Sequence, residues 1–222
     1  MSIKLAVSRS DLTIEAAYQQ PQFGLFQENR GLYTRLATRL SPHGLKLSEM
    51  KIERGNGSIG EYHLSFFLLE YLLVVRVRVD RIEIYCTQLR DDNKNHVVAA
   101  ATETLACLRE TIGAEYRVYA VTLNIHGVLE NQSAKAFLGK LVVPPPAAAG
   151  PIVGHGVGYY FAGAGDRSAS SLVLDTSALV PDGLYAKPQA TWDASRVAPD
   201  ELAVRAEEFV RTTLGWFGIE VP

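Results

Sequence analysis

Apolar and polar residues alternate along several stretches of the chain, a pattern typical of half-buried β-strands. Residues 11–18 alternate in this way and are predicted to form a strand. The stretch 61–88 is the richest in Leu, Val, Ile, Phe and Tyr, and we interpret it as three strands joined by turns near Glu70 and Asp80. Within it, the run from Leu68 to Val75 is also compatible with a buried helix, because periodicity alone cannot assign a short apolar run.

The clearest alternation runs from Glu115 to Leu129 and is predicted to be one long strand. One face carries a row of polar groups, Thr122, Asn124 and His126, with Tyr116 further along. If a helix covers this face, the row needs hydrogen-bond partners and indicates a polar pocket; if the face meets water, the row needs no explanation. His126 is the candidate base or ligand, because imidazole titrates near physiological pH.

Helical spacing of apolar residues predicts three longer helices and one short one. They cover residues 28–40, residues 93–112, a short segment after Asn131, and the segment after Pro199. The signal for the start of the second helix is the stretch 91–93, with carboxylates at its positive end. The apolar stripe of the second helix should pack on the sheet; its members are Val97, Ala101, Leu105 and Leu108.

A strand through Leu45, Leu47 and Ile52, which ends in the turn-rich stretch 55–58, is also predicted. Three further strands, over 157–162, 171–176 and 184–192, complete the predicted elements. Meander-like runs of strands with single helices between them predict an α+β fold, with a mainly antiparallel sheet and three or four helices packed on it. We expect a single domain over 1–222. The proline-rich stretch 144–151 marks either a subdomain boundary or a stiff loop, and we favour the loop. No internal repeat is evident in the sequence.

The charge balance does not indicate a nucleic-acid-binding protein. There are 22 Lys and Arg residues against 24 Asp and Glu residues, a net charge of −2. Three arginines, Arg76, Arg78 and Arg81, form a candidate basic ridge for phosphate or an acidic partner. Asp80 and Glu83 stand close to them, which favours a self-compensated sheet face instead.

Neither a metal site nor a cofactor is predicted. The two cysteines, Cys86 and Cys107, are isolated, and the five histidines lie far apart in the sequence. Isolated thiols suit a reducing compartment, and the charged N-terminal segment lacks a secretory apolar run, so we expect a cytoplasmic protein. The longest apolar stretch, 64–75, is interrupted by Glu70 and is too short for a bilayer span, so no membrane partner is expected.

The C-terminal third resembles that of a sporadically distributed family of uncharacterised bacterial proteins. The resemblance lies in the strand 171–175 with its LxLD-like pattern, in Leu184-Tyr185 and Trp192-Asp193, and in the helix ending at Trp216-Phe217-Gly218. It implies an α+β fold in a bacterial, cytosolic protein and brings no catalytic residues with it.

Two main hypotheses for function follow. The first is a non-catalytic binding or assembly protein, either a subunit of a bacterial complex or a homo-oligomer, because strand-rich sheets have edges able to pair with another chain. The alternative is a small-molecule-binding protein or enzyme that uses the polar strand face around His126. A third, nucleic-acid binding through the arginine ridge, requires a longer basic stripe than these three residues form.

Overall fold

One continuous sheet organises this computed structural model, which describes residues 2–26, 30–53, 61–142 and 155–221. The described residues contain ten strands, and every strand pairing is antiparallel except that of the short β10 with β1. The strands are β1 (Ile3–Tyr18), β2 (Met50–Glu53), β3 (His63–Leu68), β4 (Leu73–Arg78), β5 (Arg81–Cys86), β6 (Tyr116–Leu129), β7 (Gly156–Ala164), β8 (Arg167–Thr176), β9 (Leu184–Asp193) and β10 (Ile219–Glu220). The helices are α1 (Arg30–Leu40), α2 (Asp91–Ile112), α3 (Ala134–Leu138) and α4 (Leu202–Gly215). The predicted α+β class is confirmed.

The predicted three-strand run over 61–88 is confirmed as β3, β4 and β5. The alternative of a buried helix over Leu68–Val75 is wrong, because this stretch contains the turn between β3 and β4. Leu69, Glu70 and Tyr71 all have positive φ angles, of 50°, 55° and 72°, so the backbone reverses here and cannot form a right-handed helix.

The first strand begins at Ile3, well before the predicted start at Asp11. A β-bulge between Val7 and Arg9 places Ser8 outside the regular pairing with β6. A bulge reverses the phase of the alternation, because two residues of one strand then oppose one residue of its partner. The early half of β1 therefore lacks the simple pattern that identified its later half.

The chain contains a repeat of topology that the sequence does not show. Residues 116–215 follow the order strand, helix, three strands, helix, and residues 3–112 follow the same order with one additional strand, β2, after the first helix. The order across the sheet is β2-β3-β4-β5-β1-β6-β9-β8-β7, so β1, β5, β4 and β3 of the first unit correspond to β6, β9, β8 and β7 of the second, and β2 is an additional strand at one edge. An approximate two-fold axis thus passes between the antiparallel central strands β1 and β6.

All four helices pack on one face of the sheet. Their buried residues join the same hydrophobic clusters as the inward-facing residues of the strands. The predicted stripe of α2 is confirmed, since Val97, Ala101, Leu105 and Leu108 are all buried there. None of the described helices is both long and apolar enough to cross a bilayer. The proline-rich stretch 144–151 lies outside the described residues.

Candidate ligand-binding cleft

A cleft of about 800 Å³ opens between α2 and α4, directly above the two central strands. This volume lies within the range of about 300–1,000 Å³ that is usual for small-molecule sites. The cleft follows from the repeated topology: α2 and α4 occupy equivalent positions in the two units, one on each side of the axis. The two helices stand apart here, and the gap between them lies over β1 and β6.

The floor of the cleft is aliphatic, and both helices add aliphatic residues to its walls. The central strands supply the floor, and the two helices supply the walls, from Val98 on α2 and from Ala203 and Ala206 on α4. The floor residues alternate along both strands, because successive side chains of a strand point to opposite faces; they are Leu12, Ile14, Val121, Leu123 and Ile125. A ligand in contact with this surface gains free energy by removing apolar area from water.

Basic side chains outnumber acidic ones around the cleft. The basic side chains are Arg90, Lys94 and Arg211, and the acidic ones are Asp91 and Glu207. Arg9 also borders the cleft, but its side chain pairs with Asp11 on the helix-free face. Lys94 of α2 forms an ion pair with Glu207 of α4, which links the two helices across the cleft. Arg211 is exposed, and within the described ranges no carboxylate lies within ion-pair distance of it. A free cation therefore stands beside an aliphatic surface.

The predicted polar row lies on the opposite face of the sheet, which no described helix covers. Thr122, Asn124 and His126 are all partly buried on that face of β6. The ring of His126 stacks on Tyr185, with 4.8 Å between centroids, and the Tyr185 hydroxyl donates to Oδ1 of Asn124 at 2.7 Å. Asn124 and His126 thus share a cluster with Tyr185 of β9. Thr122 lies further along β6 and has Gln189 of β9 as its cross-strand neighbour.

Hydrogen bonds hold His126 in one arrangement. Its Nδ1 lies 2.9 Å from Oγ of Ser177, and that oxygen also accepts from the backbone N–H groups of Leu179 and Val180. Ser177 therefore donates to Nδ1, and the histidine carries its proton on Nε2. Burial lowers the pKa of His126 from its ordinary value, while Asp11 opposes this shift and Arg9 adds to it. The ring is accordingly neutral near pH 7.

Tyr116 does not join this cluster. A second bulge, between Ala17 and Tyr18 of β1, leaves Arg117 as the extra residue of β6 and turns Tyr116 to the helix-bearing face. There Tyr116 stacks on Tyr18 and donates its hydroxyl hydrogen to the carbonyl of Leu105 at 2.8 Å. The simple alternation counted from Glu115 therefore put Tyr116 on the wrong face.

The three arginines of the candidate ridge lie on or beside the helix-free face and have acidic or aromatic neighbours. Arg81 contacts the carboxylates of Asp80 and Glu83, each at 2.6 Å, and Arg78 lies 3.8 Å from Glu83. Arg76 lies over the ring of Tyr85, with 5.7 Å to its centroid. These contacts agree with the self-compensated face that the sequence favours.

No sequence motif marked the cleft, although single residues in it are informative in retrospect. Ala203 and Ala206 are small residues on α4, and small side chains leave space between packed helices. That space becomes visible only once α2 and α4 are known to flank the same pair of strands. Among the described residues, no three His, Cys, Asp or Glu side chains are placed to hold a metal ion.

Comparisons with known proteins assign no family to the chain. No protein-family model matches it, and no curated protein matches it in sequence. One solved structure with partial similarity is the rolling circle replication initiator protein from Geobacillus stearothermophilus. The alignment covers 86% of this chain and 74% of that chain, at 9% identity and a TM-score of 0.32. A similarity this low does not indicate a shared function.

Proposed function

We propose that the protein is a binding protein whose ligand is a small amphipathic anion held in the cleft between α2 and α4. The observation that carries the proposal is a cleft of about 800 Å³ with an aliphatic floor and with Arg211 at its side, an arginine that has no ion-pair partner among the described residues. Small-molecule binding is the alternative hypothesis from the sequence, not the favoured one of a protein-binding or assembly protein. The site itself lies on the helix-bearing face of the sheet and not around His126.

The lining of the cleft defines the chemistry of the ligand. The apolar lining residues are all aliphatic, so the surface suits a flexible hydrocarbon chain and offers no aromatic ring for stacking. The guanidinium of Arg211, which no carboxylate of the described residues pairs with, favours a carboxylate or a similar anionic group at the mouth. Lys94 and Glu207, which also line the cleft, pair with each other, so neither charge is left for the ligand's anionic group.

Dodecanoate is a suitable probe because it combines such a chain with a carboxylate. We expect isothermal titration calorimetry at submicellar concentration to detect its binding to the full chain. Dodecyltrimethylammonium, with the same chain and the opposite charge, should bind more weakly. Dodecanoate binding with a negative heat-capacity change would be the sign of apolar burial.

Two pairs of variants locate the site. Val98→Trp fills the cleft from α2 and should weaken dodecanoate binding at least tenfold, whereas Val204→Trp, at an exposed position of α4 outside the cleft, should not. Arg211→Ala should weaken binding about fivefold, since an exposed ion pair contributes up to about 1 kcal/mol. Arg35→Ala, an exposed arginine on α1, is its matched control.

The proposal would be overturned by a folded wild-type protein that binds neither probe. It would equally be overturned by folded Val98→Trp protein that binds dodecanoate as tightly as the wild type. Circular dichroism and thermal unfolding establish that each variant is folded before binding is compared.

We also propose that the protein works in a reducing, cytoplasmic environment. Cys86 and Cys107 are both free and buried, so neither takes part in a disulfide within the chain.

A further inference from the structure

The last strand at one end of the sheet, β7, has the properties of a strand that pairs with another chain. It spans nine residues, Gly156–Ala164, and contains no charged residue and no proline. Among the described residues only β8 pairs with it, so the other side of its backbone has no strand partner. Free backbone donors and acceptors on a long uncharged edge are a template for strand addition.

The opposite edge of the same sheet is built differently. Strand β2 has only four residues, and two of them, Lys51 and Glu53, are exposed and charged. Short length and charged side chains are the usual protection of a sheet edge against pairing. One edge of the sheet is thus protected and the other is not.

Strand β7 is complementary to itself when two copies run antiparallel about Tyr160. In that register Tyr159 of one copy faces Phe161 of the other, and Gly158 faces Ala162. Aromatic residues therefore oppose aromatic residues, and small residues oppose small residues. Aromatic cross-strand pairs of this kind stabilise a sheet.

Exposed aromatic side chains accompany the free edge on both faces of the sheet. On the helix-free face, Tyr160 is 85% exposed. On the other face Phe161 contacts Trp216, with 5.1 Å between ring centroids, and Trp216 is 54% exposed. Exposed aromatic residues of this size are enriched in protein interfaces, where a partner covers them.

We propose that two copies of the chain form a dimer by antiparallel pairing of their β7 strands, with the two-fold axis passing through Tyr160. The two sheets join into one, and each copy covers the exposed Tyr160 of the other. Because this axis is perpendicular to the sheet, the helices of both copies remain on the same face. The interface is separate from the cleft between α2 and α4, so it does not rest on the proposed ligand.

The oligomeric state of the full chain tests the proposal. We expect analytical ultracentrifugation at high micromolar concentration to show a dimer for the wild type. Tyr160→Lys should shift it to monomer, because two lysines would lie directly opposite each other. Tyr71→Lys changes an exposed tyrosine in the β3–β4 turn, far along the sheet, and should remain dimeric.

Disulfide formation tests the register. In Tyr160→Cys the two thiols lie opposite each other, where Cα atoms of an antiparallel pair are about 4.5–5.5 Å apart, a distance that a disulfide spans. In Ala164→Cys the two thiols would be roughly 27 Å apart, at about 3.4 Å per residue along the strand. Mild oxidation should therefore link the first variant and not the second. Cys86 and Cys107 are buried and do not compete.

Three results would each overturn the proposal. They are a monomeric wild type at high micromolar concentration, a Tyr160→Lys protein that is folded and still dimeric, and disulfide formation that is as rapid at residue 164 as at residue 160. If Tyr160→Lys does not fold, the comparison of the two cysteine variants still decides the matter.

Discussion

Truncation of Leu105 tests whether α2 packs on the sheet as described. Leu105 is 1% exposed and belongs to the larger hydrophobic cluster, between the helix and the central strands. Leu105→Ala removes three buried carbon groups, which amounts to roughly 2.4 kcal/mol at about 0.8 kcal/mol for each. The cavity left behind adds to this loss, since neighbouring side chains relax only in part. We therefore expect a total of about 2–5 kcal/mol.

Denaturant unfolding followed by circular dichroism measures this loss as a fall in the midpoint with little change in slope. Leu47→Ala is the matched control, because Leu47 is 75% exposed and the same atoms are removed. The control should change the free energy of unfolding by less than about 0.5 kcal/mol. If Leu105→Ala changed it as little as the control does, this face of α2 would not be buried and its described register would be wrong.

Two further predictions concern the central strands and the thiols. A Cβ at Gly127 of β6 would lie 2.5 Å from the carbonyl oxygen of Ala6, so Gly127→Ala should destabilise the protein by about 1–3 kcal/mol in thermal or denaturant unfolding. Gly31→Ala is the control, because a Cβ at Gly31 would have no atom within 4 Å, and it should show no such loss. Equal effects of the two substitutions would contradict the close packing at Gly127. Burial, with a smaller effect of Asp11, raises the pKa of Cys86 to about 11, and burial also raises the pKa of Cys107. Both thiols should therefore stay protonated and react slowly with Ellman's reagent at about pH 8 until the protein is unfolded. Rapid labelling of the native protein would show instead that the thiols are accessible.

Local periodicity was sufficient for the elements whose environment is uniform along their length. Strand β4 alternates between buried and less buried residues along its whole length, and α2 carries its apolar stripe from Val97 to Leu108. In such segments the side-chain pattern reflects a single buried face, so the sequence predicts both the element and the residues that enter the core.

Periodicity failed where the backbone leaves its regular register. The bulge at Ser8 concealed the first half of β1, and the bulge at Arg117 turned Tyr116 away from the row of Thr122, Asn124 and His126. A bulge is set by the pairing of two strands far apart in sequence, and neither strand shows it alone. The membership of the polar row could therefore be predicted only in part.

The cleft was decided by tertiary structure alone. Its floor comes from β1 and β6, and its walls come from α2 and α4, which are about a hundred residues apart in the chain. The sequence determined that α2 and α4 each have an apolar face to bury. Only the order of strands in the sheet placed the two helices on either side of one axis. Hydrophobic burial specifies which faces turn inward, whereas strand pairing specifies which elements become neighbours and what space remains between them.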